Sequence, residues 1–92
     1  MEVTVIFMGP LAEYTGAKAV RMTLSGKGTY GELLDEIDRQ FGAFFPEAMW
    51  DRERKLFKKG ILVVGVGRDL DDPETKLTDG EEIKLVPVFG GG

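Results

Sequence analysis

Apolar and polar positions alternate with a period of two along "MEVTVIFM", which sets Val3, Val5 and Phe7 on one side and Glu2, Thr4, Ile6 and Met8 on the other. That pattern predicts a strand at the start of the chain. "GPLAEYTGA" breaks it with glycine and proline, and "AVRMTL" resumes it, placing Val20, Met22 and Leu24 together and Arg21 and Thr23 opposite. The two strands are expected to pair as a hairpin with a long loop. After "SGKG" the period changes. Thr29 and Glu32 have the T-x-x-E spacing of a capping box, and Tyr30, Leu33, Leu34, Ile37 and Phe41 then form one helical stripe against Glu32, Asp35, Glu36 and Arg39. Gly42 is the expected stop.

The next stretch, "AFFPEAMWDRERKLFKKG", has apolar anchors at Phe45, Trp50 and Phe57 without a firm period, and Pro46 is placed to open a short helix. It reads as a packed irregular insert. "GILVVGV" is a nearly continuous apolar run ending at a Gly67 turn, as in a strand buried on both faces, and "RDLDDPETKLTDG" is rich in turn residues. In "EEIKLVPV" alternation returns, with Ile83 and Leu85 inward and Lys84 and Val86 outward, until Pro87 removes a ladder donor and the chain is expected to leave the sheet.

The order strand, strand, helix, insert, strand, short strand, strand predicts an α+β fold, with a mixed sheet of four to five strands and one main helix across one face. A right-handed crossover through the helix makes the last strand parallel to the first. If these two lie side by side at the centre, Met8 and Val86 sit near each other on the uncovered face beside Ile6, as an apolar docking patch, unless the insert folds over this face and buries them. Residues 1–89 form the domain, and 90–92 a flexible glycine tail.

Composition narrows the chemistry. With 92 residues the chain is one domain with a single modest core, and with no cysteine and no histidine it lacks a thiol nucleophile, a disulfide and the usual general base and zinc ligand. The formal charge of −4 argues against sequence-independent nucleic-acid binding, and no apolar run approaches a membrane span or a signal peptide, so a cytoplasmic protein is expected. The one basic run, "RERKLFKK", reads as a solvated face. "GVGRDL" has Leu70 where a dinucleotide fingerprint needs its third glycine, and the acidic stretch "DLDDPETKLTDGEE" does not fit a calcium loop, so no metal or cofactor site is expected in the chain itself. Nothing here suggests an autonomous enzyme.

The remaining feature is the ending "VPVFGGG". Glycine has no Cβ, so this segment can enter a slot too narrow for side chains and leaves the last carbonyl open to attack. A carboxylate is a poor electrophile and needs activation by a partner enzyme through an acyl-phosphate-type anhydride. The implied protein is a carrier whose reactive group is its own last carboxyl.

The ending "LTDGEEIKLVPVFGGG", together with "VTVIFMGPLAEYTG" and "VGRDL", resembles the small subunit of molybdopterin synthase, the MoaD group of the MoaD/ThiS superfamily of ubiquitin-like sulfur carriers with the β-grasp fold. The resemblance covers nearly the whole chain. It implies that an ATP-dependent activating enzyme adenylates the carboxylate of Gly92 and that sulfur transfer makes a thiocarboxylate. The tail then enters a MoaE-like large subunit, where sulfur passes to the pterin precursor of molybdenum or tungsten cofactor. Gly91 and Gly92 match the family's Gly-Gly; Met8, Leu70 and Val86 match its apolar docking positions, and Pro87, Phe89 and Gly90 adjoin them as partner contacts. The chain departs from the family in its third glycine, Gly90, in Val66 where "VNGRD" has asparagine, and in the insert around Trp50. That longer form is also similar to small archaeal modifier proteins joined to lysines. A conjugated modifier, or a sulfur carrier for another pathway, is therefore the alternative.

Overall fold

The computed structural model describes residues 1–88. Among these residues seven strands and two α-helices follow in order as β1 (Glu2–Phe7), α1 (Leu11–Thr15), β2 (Ala19–Thr23), α2 (Tyr30–Phe41), β3 (Trp50–Asp51), β4 (Leu56–Phe57), β5 (Ile61–Gly65), β6 (Arg68–Asp69) and β7 (Glu82–Pro87). The main sheet has the order β2-β1-β7-β5-β6, with β1 and β7 parallel at its centre and every other pairing antiparallel. This is the expected α+β architecture, a ubiquitin-like β-grasp.

Alternation decides the core. Val3, Val5 and Phe7 of β1, Ile83 and Leu85 of β7, and Ile61 and Val63 of β5 are all buried, and the α2 stripe of Tyr30, Leu33, Leu34 and Ile37 is buried with them. Each such aliphatic side chain contributes roughly 1.5–3 kcal/mol by leaving water. β5 corrects the expectation of a strand buried on both faces. Its inward positions are buried, but Leu62 remains 39% exposed, because α2 covers one side of the sheet only.

Local chemistry sets the joints. Thr29 Oγ1 accepts from the Glu32 backbone N–H at 3.2 Å, half of the predicted capping box. The other half is redirected: the Glu32 carboxylate accepts from the N–H groups of Gly28 and Gly26, each at 2.7 Å, and so gathers the preceding loop rather than closing on Thr29. Gly42 does not stop α2 in a left-handed conformation; its φ is −53° and the chain continues into a 3-10 turn, Gly42–Phe44. Its lack of a side chain serves packing, since a Cβ there would lie 2.4 Å from Asp38 Oδ1, which accepts from the Trp50 indole N–H.

The insert is more ordered than its sequence suggests. β3 and β4 pair as a separate two-stranded ribbon, and Pro46 follows the 3-10 turn instead of opening a helix. Phe45 and Trp50 are buried, and Phe57 packs edge-on to Trp50 with ring centroids 4.6 Å apart. Lys55 reaches back to Asp35 and Asp38 of α2 at 3.8 and 3.9 Å. The ribbon thus lies against the helix, away from the uncovered face of the sheet. The long β1–β2 loop holds the five-residue helix α1, which is anchored by buried Leu11 and closed by Gly16 at φ +76°.

Candidate functional site

The uncovered face of the sheet carries a second apolar array. In register across β1, β7 and β5, Ile6 lies opposite Lys84 and Lys84 opposite Val64; one step toward the end of β7, Val86 lies opposite Leu62. The β1–β7 register, continued by one residue, sets Met8 beside Val86, and the Met8 N–H donates to the Leu85 carbonyl at 3.2 Å. Met8 is 41% exposed, and Ile6, Val64 and Val86 are half-buried. Met8 and Val86 are therefore neighbours on the open face, as the alternation predicted, and Leu62 extends their row. That third member was missed because the run "ILVV" hid the period of β5.

Leu70 does not join them. It is 4% exposed, and its N–H donates to the Val63 carbonyl at 2.8 Å, so it follows Val63 to the inner side of the sheet and into the core. The docking role implied for Leu70 by family resemblance is corrected on that ground: a side chain held among core residues offers no surface.

Pro87 ends the ladder on one side only. Its nitrogen falls where a parallel partner would donate to the Met8 carbonyl, and that carbonyl accepts instead from Leu11 at the start of α1. On the other side pairing continues, with Pro87 opposite Ile61 and the Val88 N–H donating to the Gly60 carbonyl at 2.8 Å. The chain therefore stays with β5 one residue longer than expected. Val88 is 52% exposed, and the row of Met8, Val86 and Leu62 lies just before it. Phe89, Gly90, Gly91 and Gly92 lie outside the described residues, as does the proposed 90–92 tail.

One polar residue of the region gives no signal in the sequence. Glu81, in the acidic stretch that fits no calcium loop, is 5% exposed. Its carboxylate accepts from the N–H groups of Thr78 (2.9 Å) and Val66 (3.0 Å) and from the Arg68 guanidinium (2.8 Å). Burial pushes the carboxyl up, but the Thr78 and Val66 donors and then Arg68 outweigh it and hold the group below the ordinary glutamate range. Gly65 leaves the room, since a Cβ there would stand 2.5 Å from Glu81 Oε2. Every carboxylate contact goes to the protein's own turns, so Glu81 fastens the β5–β6 turn to the start of β7. No helix among the described residues is long and apolar enough to cross a membrane.

The ThiS family model matches residues 5–92. The chain belongs to the ThiS family. Its fold is similar to that of the small archaeal modifier protein SAMP1 from Haloferax volcanii, at 24% identity and TM-score 0.80, with 100% of each chain covered. It is also similar to a putative molybdopterin converting factor subunit 1 from Pyrococcus furiosus, at 18% identity and TM-score 0.73, covering 95% of this chain and 97% of that one. A chain of the Amycolatopsis orientalis BexX/CysO complex matches at 22% identity and TM-score 0.67, covering 98% and 99%. At such identities the likeness is one of fold. A comparison with curated protein sequences finds no match.

Proposed function

We propose that this ThiS-family protein carries sulfur as a thiocarboxylate on Gly92 and serves as the small subunit of molybdopterin synthase in the cytoplasm. The observation that carries the reading is the apolar row of Met8, Val86 and Leu62 on the open face, set just before Val88, where the chain runs on toward its Gly91-Gly92 end. A partner seated on that row holds the body while the terminal glycines reach its catalytic groups, and binding through the body supplies orientation that glycines alone cannot. The protein itself needs no bound cofactor. An adenylating partner uses ATP to convert the Gly92 carboxylate to an acyl-adenylate with release of pyrophosphate, a sulfide-level sulfur nucleophile displaces AMP to leave the thiocarboxylate, and a MoaE-like large subunit passes the sulfur to the pterin precursor. Intact mass analysis of the chain from its native host during active cofactor synthesis is expected to show a fraction with one oxygen replaced by sulfur. Consistent absence of that fraction refutes the reading.

A second reading is favoured by the β3–β4 ribbon and by the likeness to SAMP1: a modifier joined through Gly92 to lysines of other proteins. Diglycine remnants on lysines after proteolysis are its signature. Their absence under all growth conditions eliminates it.

A further inference from the structure

Lys84 occupies an unusual place. β7 is the middle strand of the three that build the open face, and Lys84 stands between Ile6 on one side and Val64 on the other, one step from the row of Met8, Val86 and Leu62. It is exposed, and no carboxylate among the described residues comes within ion-pair distance of it. Glu82 precedes it on the same face, two residues back and opposite Thr4, and Asp69 lies beyond Val64 in register. Both flank the apolar array instead of facing Lys84 across it. In the free chain water solvates the ammonium. Once a partner covers Ile6, Val64 and Val86, that water is displaced, and an ammonium buried without a counter-charge strongly opposes association.

We infer that Lys84 is a specificity-determining residue of the open face, which selects a partner whose apolar docking surface carries a carboxylate at its centre, opposite the ammonium. A surface of equal shape and hydrophobicity but without that acid is rejected, because the unpaired charge penalises only the wrong partner. This inference rests on the reading of the open face as the docking site.

The test measures equilibrium binding of the full chain to the adenylating enzyme and to the synthase large subunit of the same organism, for wild type, Lys84→Met, Lys84→Glu and Val86→Asp, at low and high salt. Lys84→Met keeps the length of the side chain and leaves the partner's acid unpaired. It is expected to weaken binding by roughly 30-fold or more for at least one partner and to flatten the salt dependence, with Lys84→Glu weaker still. Reversing the facing carboxylate to lysine is expected to restore binding of Lys84→Glu. If Val86→Asp loses binding while Lys84→Met binds as well as wild type, the inference is overturned and the docking face stands. If neither substitution changes binding, or wild type binds neither partner, the docking face falls and the inference with it.

Discussion

Both faces of the central sheet carry aliphatic side chains, and these have different fates. On the inner face Val3, Val5, Ile83 and Leu85 are sealed beneath α2; on the outer face Ile6, Val64, Val86 and Leu62 alternate with them along the same strands and stay open to differing degrees. Residue type therefore does not separate core from contact surface here. Coverage does: α2 and the β3–β4 ribbon both lie on the inner side, and nothing among the described residues returns across the other. A strand with aliphatic side chains on both faces in a protein with one covering layer offers the surface that the proposed docking uses.

This contrast can be broken at several points. The largest expected effect is on transfer. Deleting Gly92 is expected to abolish sulfur loading completely while leaving the thermal midpoint unchanged, because the sheet is complete by Val88; a large fall in midpoint, read by calorimetry, contradicts the separation. Next, Ile83→Ala on the inner face is expected to cost about 2–5 kcal/mol in denaturant unfolding, and Val86→Ala on the outer face under about 1 kcal/mol. Equal losses erase the distinction between the faces. Val86→Asp reverses the ranking, with little change in unfolding but partner binding weakened about tenfold or more, since the new carboxylate must be desolvated without a counter-charge. Glu81→Gln is expected to cost about 1–3 kcal/mol, a smaller loss than that of Ile83→Ala, and tests the polar joint between the β5–β6 turn and the start of β7. Because the folded state holds the Glu81 carboxyl below its ordinary value, its contribution is present above the ordinary glutamate range and lost as pH falls through the depressed folded value. The unfolding free energy of wild type should fall across that acid window more steeply than that of Glu81→Gln, and parallel curves exclude the assignment.

Legibility followed periodicity. β1, β2, β7 and α2 each repeat their pattern long enough to declare both type and inward side, and the right-handed crossover then fixed the parallel central pair. The two-residue strands β3 and β4 have no period to read, and α1 is one turn and a half between glycines, so both emerge only through packing against Trp50, Phe45 and Leu11. The same logic divides the site. Met8 and Val86 came from alternation and lie where it put them, whereas Leu70 came from family resemblance alone and is in the core. Glu81 was hidden for another reason: what makes its burial tolerable is a gap at Gly65 and donors at Val66 and Arg68, more than ten positions away in the chain.

The strand order has one further consequence. β7, the last strand among the described residues, is inserted between β1 and β5, so the earlier strands have no neighbour across the middle of the sheet until residues 82–88 have left the ribosome. Both central pairings of the sheet thus wait for this segment. A chain cut before residue 82 lacks this keystone, and β1 and β5 are each left with an unpaired edge at the centre of the sheet.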